Sequence, residues 1–256
     1  MAVVHRLLRF WPSYIVVILL YYSIQIHTGS GPMWGLHNTL GQIPDCASGW
    51  KALLFVDNLV DNGEHMCLPW GWYLQNDMQI FVFSMLFIMI YMKNRIAGYI
   101  SIGLMMSLGL GLNIYEVIVR DIHHVTHLID FVKWQDYFVN IYIKPWIRCP
   151  PYLLGLTLGL LHMEYLEVRK KLKDHPEDDK LNANFFVKIR NVMLKKRWVA
   201  WLSQIMGLAF MITTVVIPHD MQKGNKWPEW AHGVYLSFEK ISFTFGIYLL
   251  VLPTLM

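Results

Sequence analysis

The residues most able to do chemistry lie in and around the stretch Trp70-Gly71-Trp72-Tyr73-Leu74-Gln75-Asn76-Asp77-Met78-Gln79, where aromatics lead into a carboxylate and three amides. Asp77 has two readings. It could sit in the first turns of a helix, where the dipole favours negative charge, or it could serve in a polar reaction chamber. Arg148 follows Lys144-Pro145-Trp146 and precedes Pro150-Pro151-Tyr152. A guanidinium fixed between prolines can hold a phosphate or carboxylate, or can anchor a helix at an interface. His162 lies in an apolar run as a buried polar residue, and would be a candidate general base only within reach of an acceptor hydroxyl. His123 and His127, between Asp121 and Asp130, have the i, i+4 spacing of metal ligands. No glutamate stands beside the first histidine, so a solvated polar face is the expectation and no metal is required. Glu239 and Lys240 are ionisable residues inside an apolar run, where such groups face a bundle interior or a cavity. Neighbours in sequence point to different sides of a helix, so separate partners are expected for the two, with Lys240 reaching toward the surface. The sequence contains no G-x-S-x-G, H-E-x-x-H or C-x-x-C motif.

The elements that must position these groups are membrane spans. Of 256 residues, 55% are hydrophobic and only 16% charged, against about a quarter charged in soluble domains. The charges cluster between long apolar runs, which identifies an all-α, polytopic transmembrane helix bundle. Six spans are expected, over 9–27, 76–92, 98–119, 150–166, 198–217 and 234–256. The first is read as a retained span rather than a signal peptide, because Tyr14, Tyr21 and Tyr22 interrupt it and no small-x-small cleavage site follows. Gly103, Gly109 and Gly111 in the third span, and the Gly155/Gly159 pair in the fourth, are positions at which neighbouring helices could approach closely. Residues 120–148 are expected to form a loop with an interfacial helix. No phosphate-binding glycine loop and no block of like charge suited to nucleic acid occurs.

An even number of crossings puts both termini, the 93–97 turn and the basic 167–197 loop on one side. That side carries fourteen Lys and Arg against seven opposite, which predicts that it is the cytosolic or equivalent matrix side. The glycine- and proline-rich loop 28–75 then faces the other compartment and contains Cys46 and Cys67. A bridge between them would stabilise the loop by about 3 kcal/mol on the chain-entropy model; two unpaired buried thiols are the alternative. Cys149 is left as a lone thiol at a helix start.

Trp72-Tyr73-Leu74 with Asp77 and Gln79 resembles the W-Y-L-x-x-D-x-Q signature of the membrane acyltransferase-3 superfamily, in its nose-resistant-to-fluoxetine-like branch. Other segments agree in order: His5-Arg6 with Arg9 and Pro12, Gly31-Pro32-Met33-Trp34, the Cys46 to Cys67 loop with Trp50, Leu53, Leu54 and Asn58, and Lys144, Pro145, Arg148, Pro151, Tyr152, Gly155 and Gly159. The resemblance strengthens the expected Cys46–Cys67 pairing. It implies transfer of an acyl group from acyl-CoA to carbohydrate or lipid acceptors. The family's essential histidine, on a helix preceding the His5-Arg6 match, has no counterpart here, and the family bundle continues beyond Met256. The leading expectation is therefore a protein without catalysis of its own, structural or accessory to a larger membrane complex, with lipids and other membrane subunits as partners. The competing expectation is an active O-acyltransferase completed by another chain, with acyl-CoA as donor, Asp77, Arg148 and His162 as catalytic candidates, and Arg6, Arg9 and Arg148 as donor or anion contacts. A transporter or channel component is a further alternative.

Overall fold

In the computed structural model, residues 1–25, 27, 31, 49–60, 66–120, 137–178, 184–219 and 227–255 are described. Helices and turns account for all the regular structure among them. The chain forms α1 (Ala2–Leu20), the short α2 (Gly49–Leu53), α3 (Trp72–Lys93), α4 (Arg95–Val119), α5 (Pro145–Asp174), α6 (Phe185–Lys195), α7 (Arg197–Val216) and α8 (Glu229–Leu255). Single π-helical turns follow α1, at Tyr21–Gln25, and precede α5, at Phe138–Tyr142.

Five of these helices (α1, α3, α4, α7 and most of α8) are long and apolar enough to cross a bilayer. The expected fourth span is a helix, but it starts at Pro145 and runs for 30 residues to Asp174. Its prolines, Arg148 and the Glu164 to Lys173 run keep its mean hydropathy below that of the other five. Much of the expected 167–197 loop is likewise helical, as the last turns of α5 and as α6. Pro145 opens α5, where a missing N–H costs nothing.

Residue Asn94 alone joins α3 to α4. Its backbone is extended, and its Oδ1 accepts the N–H groups of Ile96 at 3.0 Å and Ala97 at 3.2 Å. This N-cap satisfies two donors that the helix start leaves open. A Cβ at Gly98 would lie 2.6 Å from the Tyr91 backbone, so only glycine permits the tight reversal. The same end is tied to α5 by Glu164, whose Oε1 accepts the hydroxyls of Tyr91 at 2.6 Å and Tyr99 at 3.2 Å. Arg95 bonds Glu167 beside it at 3.0 Å.

Helix contacts follow small residues in some places only. On α4, a Cβ at Gly109 would meet Pro150 and the Trp146 carbonyl of α5 at 2.9 Å, whereas Gly103 and Gly111 face open space. The Gly155/Gly159 face is open as well. The closest helix pair is α7 with α8. A Cβ at Gly207 would lie 2.5 Å from the Gly246 carbonyl, one at Gly246 would lie 2.8 Å from the Gly207 carbonyl, and Ser203 Oγ donates to Leu249 O at 2.7 Å.

Helix α1 runs antiparallel to α3 and is staggered against it. Arg6 sits beside Asp77 and Phe81, while Tyr14, two turns on, reaches Gly71 just before α3 begins. Around and beyond that point α1 packs on residues 49–55 and 66–71: Tyr14 stacks on Phe55 at 5.5 Å, Trp11 Nε1 donates to Leu53 O at 2.9 Å, and Tyr21 meets Trp70 edge-on at 4.5 Å. Ala52, Phe55, Cys67, Leu68 and Met78 complete this core.

Candidate functional site

Two polar constructions occupy the end of the bundle at which residues 49–60 lie. The first is a clasp between those residues and α3. Asn58 is fully buried. Its N–H donates to Gln75 Oε1 at 2.8 Å, and its Nδ2 donates to Asn76 Oδ1 at 2.8 Å and to Ile143 O at 3.0 Å. Gln79 Nε2 donates to Asn58 Oδ1 at 2.7 Å and to Phe55 O at 2.6 Å. Phe55 has φ 59°, a left-handed conformation costing about 1–2 kcal/mol, and the Gln79 bond and the Tyr14 stack hold it there. Cys67 N–H donates to Asp57 Oδ2 at 2.9 Å. Lys144 Nζ donates to the Asn58 carbonyl at 3.3 Å, drawing the segment before α5 into the same network. Burial pushes the Lys144 ammonium below its ordinary pKa; Arg120 adds to this by repulsion, and Glu116 opposes it.

Asp77 has a different partner. Arg6 Nη2 donates to its Oδ2 at 2.5 Å, and the same guanidinium lies 4.1 Å over the Phe81 ring. Asp77 lies in the second turn of α3 rather than at its cap, and it neutralises an arginine brought in by α1. Arg9 is exposed beside Phe10.

The second construction is a cavity of about 360 Å³ bounded by Arg148, Pro151, Thr214, Val215, Glu239, Lys240, Phe243 and Thr244. Arg148 is clamped between aromatics, its guanidinium 4.3 Å from the Tyr142 ring centre and 4.9 Å from that of Trp72, within cation–π range, and its Nε donates to Tyr142 O at 3.1 Å. Its Nη2 is buried and has no hydrogen-bond partner among the described residues. Glu239 and Lys240 pair with each other, while Glu239 also faces the Tyr235 hydroxyl. Lys240 Nζ donates to Glu239 Oε1 at 2.5 Å, because the two side chains are long enough to curl together on the cavity side, and it also reaches Leu236 O at 3.4 Å. Lys240 is thus turned inward, not toward the surface.

The candidates named from sequence separate accordingly. Arg148 joins Glu239 and Lys240, while Asp77 with Arg6 belongs to the α1 contact. His162 lies fourteen residues beyond Arg148 on the same helix, about 21 Å at 1.5 Å per residue, half-buried beside Tyr165. Cys46, His123 and His127 lie outside the described residues. No group of three metal-ligating side chains occurs among the described residues. Cys149 is buried and free. Tyr142, Thr214 and Thr244 were not legible as site residues, since nothing in their spacing distinguishes them from ordinary interfacial or in-span residues. Trp72 was legible as the head of the W-Y-L segment, and it is the member of that segment that touches the cavity arginine.

Comparison with known proteins identifies the family. The profile of an acyltransferase domain matches residues 1–255. Nose resistant to fluoxetine protein 6 of Caenorhabditis elegans is 28% identical over 167 residues, covering 61% of this chain. The match spans only 19% of that relative's length. No solved structure matches. A helical bundle with membrane-crossing segments, carrying the W-Y-L-x-x-D-x-Q residues in the first turns of α3 and matched along its length by that profile, belongs to the acyltransferase-3 family and resembles its nose-resistant-to-fluoxetine-like branch.

Proposed function

We propose that this chain is a binding and scaffolding member of a membrane acyl-transfer assembly, not its catalytic centre. The observation that carries this reading is the separation of Asp77, the acid of the signature, from the cavity. Asp77 is neutralised by Arg6 at 2.5 Å, and the amide oxygens of the signature hold the 49–60 segment in place. A general acid or base must come within hydrogen-bond reach of the group it serves; Asp77 lines no part of the cavity, and His162 lies several turns away. The cavity itself is furnished for holding a polar group: two cations, one carboxylate and two threonines.

The test is incubation of the chain, in its native assembly and alone, with radiolabelled acetyl-CoA and membrane lipid. The expected outcome is neither transfer nor hydrolysis by the chain alone. Turnover by the isolated chain, abolished in Asp77→Asn, would overturn the proposal. One observation favours a second reading, an active O-acyltransferase: Glu239 stands in the cavity beside Arg148 and could take a proton from an acceptor hydroxyl. On that reading Glu239→Gln abolishes turnover while Asp77→Asn spares it.

A further inference from the structure

The geometry points to a phosphodiester site in the cavity between α5, α7 and α8, in which Arg148 and Lys240 hold the singly charged phosphate group of a membrane lipid. This holds whether or not the chain catalyses acyl transfer.

The Arg148 guanidinium is fixed by the Tyr142 and Trp72 rings and by the Tyr142 carbonyl, yet its Nη2 is buried without an acceptor. Leaving a charged donor unsatisfied is costly, and Arg148 lines the cavity, so an anionic oxygen there meets a fixed guanidinium with the pairing arginine favours. Arg148 and Lys240 against Glu239 leave one positive charge on the walls, matched by a phosphodiester monoanion. A volume near 360 Å³ takes a headgroup and excludes acyl chains. The remaining walls give those chains a way out: Pro151, Val215 and Phe243 are apolar, and Val215 is 67% exposed on the outer surface of the bundle. The depth is also appropriate, since Arg148 lies in the first turn of α5 and Thr214 in the last turn of α7. Trp72, Tyr142 and Trp146 gather at the same level, as aromatics do at the headgroup boundary.

Glu239 then acts as an internal anion that ties up Lys240 and competes with the ligand. This gives a substitution that should strengthen binding, an effect that a misfolded variant cannot imitate.

The experiment measures lipid binding to the full chain, delipidated in detergent, by native mass spectrometry. Phosphatidylglycerol, diacylglycerol of the same chains and inorganic phosphate are titrated separately. Phosphatidylglycerol is expected to bind, with diacylglycerol weaker by about tenfold or more through loss of a charge-assisted bond and inorganic phosphate weaker by about tenfold or more through loss of the apolar chain contacts. Arg148→Met and Lys240→Met are expected to weaken phosphatidylglycerol by a similar factor, Glu239→Gln to strengthen it, and the exposed Lys170→Met at the opposite end of α5 to leave it unchanged. Equal binding of phosphatidylglycerol and diacylglycerol overturns the phosphate contact. Equal binding of inorganic phosphate and phosphatidylglycerol overturns the lipid assignment in favour of a free anion. An unchanged affinity in both Arg148→Met and Glu239→Gln overturns the location. Acyl-CoA turnover is not read in any arm, so failure here is distinct from failure of the proposed function.

Discussion

Arg6 and Asp77 show how a residue's type can be legible while its job is not. The carboxylate at the mouth of a span is plain in the sequence, and so is the arginine pair on α1, but only the folded chain brings them within 2.5 Å across a separation of 71 residues. Their side chains are 26% and 19% exposed, so the pair is shielded enough for its loss to be uneven. Removing one partner leaves the other ion half-buried and unmatched. Asp77→Asn or Arg6→Met alone is expected to cost about 1–3 kcal/mol, whereas the double variant costs less than the sum of the two, as for any coupled pair. Thermal unfolding of the four proteins in one detergent closes the cycle, and strictly additive losses would refute the coupling. The amides around Asp77 were equally visible as polar residues near an aromatic cluster. Their use as a clasp was not, because Asn58 is recruited from a loop whose path no local pattern specifies. Glu239 and Lys240 were legible through the expense of charge at depth; their mutual pairing depends on rotamers that spacing does not encode.

The helices themselves follow hydropathy closely, and their boundaries follow capping and proline. Asn94 and Pro145 both mark helix starts that a sequence can show. The length of α5 was harder to see, because its last turns from Glu167 onward are charged and look like a loop, while Glu164 and Glu167 are used in bonding Tyr91, Tyr99 and Arg95. Glycine gives the sharpest contrast between pattern and packing. The Gly155/Gly159 spacing is the conspicuous one, yet nothing lies within 4 Å of a Cβ at either position, whereas Gly207 and Gly246 share no obvious motif and meet backbone to backbone. Gly207→Ala and Gly246→Ala are each expected to destabilise the chain by about 1–3 kcal/mol through overpacking. Gly155→Ala is expected to cost nothing and to gain from helix propensity, which favours alanine by about 1 kcal/mol. Unfolding midpoints compared across the three variants decide this; an equal loss at all three positions would mean that the α7–α8 contact is not the tight one.

At the scale of the whole molecule, the bundle turns many large apolar side chains outward, among them Leu104, Leu108, Trp198, Trp201, Ile205 and Val215. Lipid covers such faces in a bilayer, and so would neighbouring helices of an assembly. If the chain works in an assembly as proposed, native mass in a mild detergent is expected to exceed that of one 30.1 kDa chain by more than bound lipid, and a stable lone chain would speak against it. The stagger of α1 also bears on how the protein is made. Its core partners Phe55, Leu68 and Met78 and the carboxylate that answers Arg6 all lie downstream in the chain. At 5–20 residues per second of synthesis, the 71 residues from Arg6 to Asp77 take roughly 4 to 14 s to be made. For that interval Arg6 lacks the carboxylate that pairs with it in the folded chain. The Arg6–Asp77 pair can form only once the start of α3 has been made, so the seating of α1 against α3 is a late event of synthesis.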